Sequence, residues 1–276
     1  PLGDLRSGDE FECRTPAFVG GAQREVFVST ADSYLWVTPN QWDEGLADCS
    51  GDTAVSLPAT LYQVPLNSDP PRALFARGVP MNQLALDASP TEFRALLNQN
   101  TVCGRRSNDL EVNYLRAPFS ALSSRPREIP ASAYTRTPSP GGLSYEVRYT
   151  NTHVVYGARE TYRSAPPNGR DAPLTSRVTA VPLDRPSAAV TVEAPHNVIR
   201  VERAGGDIIL GGYRTDAGLN VSRLSLSGRP RITHTELLEN RYESENRSHA
   251  FNALVGPDGD GIMGLPTVTR VKQGGR

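Results

Sequence analysis

Lysine is almost absent from this 276-residue chain: of its 29 lysines and arginines, all but Lys272 are arginine. Acidic residues number 30, so the formal charge is −1 and the pI is near 6.5. No basic face is implied, which removes the electrostatic footprint expected of a nucleic-acid binder. Arginine-favouring codon usage explains the bias more simply than a selected arginine surface. Cysteine is scarce too. Cys13, Cys49 and Cys103 are too few for a disulfide scaffold. In an oxidising compartment one pair could form, with Cys13 the favoured member and one thiol left over; three free thiols are the alternative. No apolar run approaches the ~20 residues a membrane-spanning helix needs. There is no signal-peptide pattern, and the chain starts at Pro1 rather than Met, which suggests a processed or incomplete chain.

Catalytic signatures are equally sparse. The only histidines are His153, His196, His234 and His249. No Gly-x-Ser-x-Gly elbow is found, and no His-x-x-x-His or Cys-x-x-Cys spacing suggests zinc. Gly205-Gly206 and Gly211-Gly212 do not open a helix, so neither reads as a phosphate loop. Ser248-His249 is no dyad, because neighbours on a strand point to opposite faces.

What the chain does contain is a loose repeat. Leu61–Leu66 returns in altered form at Tyr114–Phe119, Val178–Leu183 and Ser222–Leu226. Taking Leu66, Phe119, Leu183 and Leu226 as equivalent gives intervals of 53, 64 and 43 residues. Such spacing fits one four-stranded sheet per unit, and propeller blades run to about 40–50 residues each. Gly 24 and Pro 23, spread along the chain, punctuate many short strands. The expectation is an all-β fold. More specifically, it is a single β-propeller domain over 1–276, built of four-stranded antiparallel blades and incomplete. The blades are placed at 22–78, 79–130, 145–195 and 196–240, with a partial one at 246–276. Pro65, Pro118 and Pro182 close three of the four motifs. Proline cannot donate to a ladder, so each belongs at a strand end or on the side without a partner.

Within this plan 25–37 is a hairpin and 39–58 a long loop. Ser89-Pro90-Thr91-Glu92 carries a helix-start signature. A hairpin of 83–87 with 93–97 matches the layout of the preceding unit and is preferred. Residues 120–143, rich in Ser, Pro and Arg, read as an inter-blade connection. Gly205-Gly206-Asp207 is a hairpin turn between β-branched runs. The last unit has room for only two strands, leaving open edges. They are closed either by the lead-in or by further chain.

Ser248-His249-Ala250-Phe251, followed by Gly261-Ile262-Met263-Gly264-Leu265-Pro266, resembles the late signature of bacterial and archaeal secreted proteins with a C-terminal β-propeller domain. Arg24–Ser29 with Tyr34-Leu35-Trp36, and Leu61–Leu66, are similar to that family's blade strands. Arg247-Ser248 departs from the acidic residue that commonly precedes the histidine. The resemblance implies a propeller scaffold at a secreted, periplasmic or cell-envelope location, in a family whose members generally have no established catalytic activity.

The candidate binding residues are Glu245, Arg247, His249 and Asn252, which could line a propeller mouth and hold an anion or metal. The structural alternative has His249 or Arg247 tying one blade to the next through backbone groups. Asp258-Gly259-Asp260 resembles the start of a calcium loop but lacks the later ligands, and a hairpin turn is the simpler reading. Tyr34, Trp36, Tyr62, Tyr156 and Tyr213 could form a carbohydrate-binding surface or belong to the core. The functional expectation is an exported, non-enzymatic scaffold for an unidentified protein or glycan partner. The rival is a propeller hydrolase or lyase acting on a polysaccharide or other polymer through channel-facing carboxylates or histidine.

Overall fold

The computed structural model describes residues 18, 23–39, 57–67, 69–98, 111–139, 141, 144–159, 174–244, 252–256 and 260–270. The described chain is all-β, and every strand pairing is antiparallel. The first sheet holds β1 (Gln23–Val28), β2 (Asp32–Thr38), β3 (Pro58–Pro65) and β4 (Arg72–Arg77), in chain order. In the second, β5 (Val79–Pro80) and β6 (Leu86–Ala88) both pair with β7 (Glu92–Asn98), followed by β8 (Val112–Pro118) and β9 (Tyr134–Thr137). The third runs β10 (Ser144–Tyr149), β11 (His153–Arg159), β12 (Ser176–Pro182), β13 (Val190–Ala194). The fourth runs β14 (Arg200–Ala204), β15 (Asp207–Gly212), β16 (Gly218–Ser225), β17 (Arg231–Glu239). Two small ladders follow: β18 (Tyr242–Glu243) with β21 (Thr267–Val268), and β19 (Asn252–Val255) with β20 (Gly261–Gly264).

Alternation along the strands puts apolar side chains on both faces of the middle sheets, and each face meets the next sheet. Tyr34, Trp36, Leu61 and Leu74 of the first sheet pack on Phe93, Leu97 and Leu115 of the second. The Tyr34 and Phe93 rings lie 4.9 Å apart, and the indole N–H of Trp36 donates to the carbonyl of Gly78 at 3.2 Å. On the second sheet's other face, Leu96, Val112 and Tyr114 meet Val147, Val154 and Tyr156 of the third. Val155 and Val178 point the other way and pack on Val201, Ile208 and Leu224 of the fourth. Tyr213 and Leu219 then carry the stack on to Tyr242 and Leu265. Burying a side chain of this size stabilises by roughly 1.5–3 kcal/mol, so these interlayers are the main source of stability. The first strands also adjoin in sequence: β1 beside the 83–85 turn, that turn beside β10, β10 beside β14, and β14 beside β19.

The recurring motif falls on β3, β8, β12 and β16, the third strand of each sheet, and Pro65, Pro118 and Pro182 each close their strand. A hairpin forms here, but between Leu86–Ala88 and Glu92–Asn98 only; Gln83–Ala85, expected as the start of its first strand, is a short 3-10 turn instead. The helix-start signature serves a turn instead: the Ser89 hydroxyl accepts the Thr91 and Glu92 amides, and the Ser89 amide donates to the Glu92 carbonyl at 2.9 Å.

Two boundaries differ from the sequence expectation. Residues 120–143 are more than a connection: β9 lies within them, so the second sheet ends past residue 130. Four residues of Tyr-Thr-Arg-Thr between Pro130 and Pro138 give too short a pattern to stand out, and both prolines flank the ladder rather than interrupt it. The same stretch bridges to β4 through Ser123 with Ala73 and Glu128 with Phe75, which covers the outer edge of the first sheet. The final unit also begins earlier, at Tyr242, and gains a strand at Thr267–Val268.

Candidate functional site

Glu245, Arg247, His249 and Asp258 lie outside the described residues. Asn252 opens β19 and is paired with Gly264. Asp260 is exposed, and its carbonyl accepts the Gly256 amide at 2.7 Å, which ties off the β19–β20 hairpin. Cys13, Cys49 and Cys103 are likewise outside the described residues. Among those described, no three His, Cys, Asp or Glu side chains converge as a metal group would.

The structure instead gathers charge along the first strands. Arg148 on β10 reaches Glu202 on β14 with two prongs, Nε to Oε2 at 2.9 Å and a terminal nitrogen to Oε1 at 2.7 Å. Arg200, two residues before Glu202 and therefore on its face of β14, donates through Nε to Oε1 of Glu243 on β18 at 2.7 Å. The Arg200 and Glu243 side chains are 6% and 5% exposed, so this pair is almost sealed from water. Arg148, Glu202, Arg200 and Glu243 thus form an alternating chain that crosses three sheets. Burial pushes the Glu202 carboxyl up, an effect partly offset by the hydrogen bonds from Arg148 and by the charges of Arg148 and Arg200.

A second group sits on the second sheet. Glu92 on β7 accepts from Nε of Arg94 at 2.8 Å and from Nε of Arg116 at 3.0 Å, while Arg94 also touches Asp87 on β6 at 3.4 Å. The two carboxyls are driven apart. Burial raises Asp87, and Arg94 offsets only part of that. Burial also acts to raise Glu92, but hydrogen bonds from Arg116 and Arg94 outweigh it and hold the carboxyl below its usual range. Divergent carboxyls are a feature of acid–base pairs. Here, however, each acid has an arginine in place of a substrate atom. Glu25 on β1 differs: it is half-buried, and desolvation alone raises its carboxyl.

His196 is fully buried. Nδ1 lies 2.6 Å from the Asn197 carbonyl and Nε2 lies 2.8 Å from the Ser222 hydroxyl, which continues to Thr235 Oγ1 at 2.8 Å. The carbonyl requires the proton on Nδ1, so Nε2 accepts from Ser222. Desolvation lowers its pKa, only partly opposed by that carbonyl. It is a satisfied core histidine, with both ring nitrogens engaged.

The aromatic residues divide. Tyr34, Trp36, Tyr156 and Tyr213 are core. Tyr62 is on the outer face of the first sheet, its ring 5.1 Å from that of Phe18. There it helps line a cleft of about 520 Å³ with Val37, Thr60 and Phe75. Phe75 is 44% exposed, and the Arg77–Glu128 ion pair, 2.6 Å long, stands at the rim. An exposed aromatic floor with a polar rim can take an apolar side chain or the face of a sugar ring.

The arginine–carboxylate chain escaped the sequence reading, although one signal was present. Glu146-x-Arg148 and Arg200-x-Glu202 place opposite charges two apart on their strands, on one face each. No protein-family model matches the chain, and neither a curated protein nor a solved structure matches it significantly.

Proposed function

We propose that the chain is a β-propeller module, exported from the cell, that serves as a non-enzymatic platform for a protein or glycan ligand. The architectural part rests on the stacking of successive antiparallel meanders, three of four strands and one of five, whose leading segments adjoin as blades around an axis would lie. The functional part rests on one observation: Asp87, Glu202 and Glu243 on the first strands are all engaged by arginine. A guanidinium takes up one or both oxygens of a carboxylate, and protonating the carboxylate weakens the pair, so it serves poorly as a general base or acid. The ligand is placed in the cleft of Tyr62 and Phe75. An exported location goes with the family likeness of the strand motifs.

The test combines binding and turnover on a panel of soluble xylan, pectin and chitin oligosaccharides, together with envelope protein extracts. The expected result is retention of one class of ligand, lost in Tyr62→Ala and Phe75→Ala, with no release of reducing ends. Release of reducing ends that disappears in Asp87→Asn or Glu25→Gln would overturn the proposal in favour of the hydrolase.

A further inference from the structure

Strand register sets out the outer face of the first sheet in rows. Arg24, Val37, Thr60 and Phe75 stand abreast on β1, β2, β3 and β4, and Val26, Leu35, Tyr62 and Ala73 form the next row. Tyr62 and Phe75 are therefore diagonal neighbours, about 7–8 Å apart along the sheet. Cations flank these two rings. Arg24 is exposed and has no partner among the described residues; its strand lies three spacings, about 14 Å, from that of Phe75. Arg77, two residues past Phe75 and so on the same face, meets Glu128 through Nε alone, which leaves its terminal nitrogens able to donate. The four strands place no carboxylate on this face: Glu25 pairs with Trp36, and Asp32 is two residues before Tyr34, on the side that faces the core. Glu128, which bridges onto β4 beside Phe75, is already held by Arg77.

We propose that the cleft binds a uronic-acid oligosaccharide laid across the strands, with sugar rings on Tyr62 and Phe75 and ring carboxylates on Arg24 and Arg77. The inference deepens the reading of the cleft as the ligand site and rests on it. Aromatic faces take the apolar face of a sugar whatever its charge; the guanidiniums decide which sugar. A planar carboxylate meets a guanidinium through two parallel N–H donors, a contact that a neutral hydroxyl does not match. With two cations and one engaged carboxylate beside the rings, the face carries a net positive charge, so an acidic glycan is favoured over a neutral one. Size favours a glycan over a protein. Four strands by six residues give a plan area of about 400 Å², roughly half of what one partner buries in a standard protein interface. A cleft of about 520 Å³, by contrast, is of the size that small ligands fill.

Isothermal titration calorimetry of the full chain tests this with three probes: oligogalacturonate, the same oligomer fully methyl-esterified, and a neutral xylo-oligosaccharide. The acid should bind about tenfold or more tightly than its ester, and added salt should weaken the acid alone. Arg24→Gln should weaken the acid by about tenfold and narrow its lead over the ester. Tyr62→Ala removes a stacking face and should weaken both. Circular dichroism and thermal unfolding of each variant separate lost binding from lost fold. If the ester or the xylo-oligosaccharide binds as tightly as the acid and depends on Tyr62, the acidic-sugar assignment is overturned while the glycan platform stands. The same holds if an envelope protein is retained through Tyr62 and no oligosaccharide is. Acid binding that survives Tyr62→Ala is attraction to surface charge only and overturns the assignment. Absence of any ligand at the cleft removes both readings together.

Discussion

Glu202→Gln would leave the Arg148 guanidinium without its counter-charge at a position where the two side chains are only 15% and 11% exposed. Removing one partner of a fully buried pair costs about 3–5 kcal/mol, mostly from stranding the other charge. Residual exposure lets water relieve part of that, and glutamine keeps one acceptor for Arg148, so about 2–3 kcal/mol is expected. In a chain of this size that lowers the melting temperature by roughly 5–10 °C. Arg148→Met/Glu202→Leu removes both charges and fills the space with apolar atoms. It should fall within about 1 kcal/mol of wild type, since desolvating the pair offsets most of its attraction. The assay is urea unfolding followed by tryptophan fluorescence and by far-UV circular dichroism, whose coincidence establishes a single transition. A double variant as unstable as the sum of its two single changes would refute the reasoning. The contacts would then matter only as packing, and no coupling between the charges would exist.

His196 supplies a pH test. Its folded pKa is lowered below the ordinary 6.5, so the unfolded state binds its proton more readily. Its contribution is therefore fully present above the unfolded value and is lost as pH falls through the folded one. The histidine contribution should decline from pH 7 towards pH 5, with His153, also lowered, adding to it, while the raised carboxyls of Asp87, Glu202 and Glu25 act in the opposite direction. His196→Asn should remove up to about 1.4 kcal/mol per pH unit from the slope of stability against pH, measured by urea unfolding at each pH; an unchanged slope refutes the assignment. Gly212→Ala tests the close approach of β15 to the residues beside His196. A Cβ there would lie 1.7 Å from the Asn197 carbonyl oxygen and 2.7 Å from Nδ1 of His196. Neither can withdraw without breaking buried hydrogen bonds, so a loss of about 3 kcal/mol or more is expected on thermal unfolding; a variant as stable as wild type would refute the close packing.

Much of the sheet layout was legible because it is written locally. Val178-Thr179-Ala180-Val181-Pro182 is a short β-prone run, buried from Val178 to Val181, that ends on a residue that stops a ladder, so both the strand and its end are visible within a few letters. The repeat then fixed which strand of each sheet this was. β9 was hidden for the opposite reason, being four residues long amid prolines that ordinarily signal loops. The split of the second sheet's first strand into β5 and β6 was hidden too, since it depends on where the 83–85 turn packs against β10. The charge chain was the least legible part. Arg148 and Glu202 are 54 positions apart and Arg200 and Glu243 are 43 apart, distances over which composition and periodicity carry no pairing information.

The placement of that chain has a physical logic that composition alone does not supply. The interlayers between sheets are apolar, and apolar contact is not directional: a sheet shifted by two residues along its neighbour would bury nearly the same area. Something directional has to select one alignment. A two-pronged guanidinium–carboxylate contact does so, because both nitrogens meet both oxygens in a single geometry and a shift strands two charges. Lysine, a point charge on a flexible stem, would tolerate the shift. Codon usage is enough to explain why nearly every cation in the chain is arginine. It does not explain why Arg148 and Arg200 stand on adjoining first strands, each reaching a glutamate on the next element, where sliding of one sheet past another would first be felt. On this argument the Arg148–Glu202 and Arg200–Glu243 pairs set register between layers, which is why these two carboxyls are occupied.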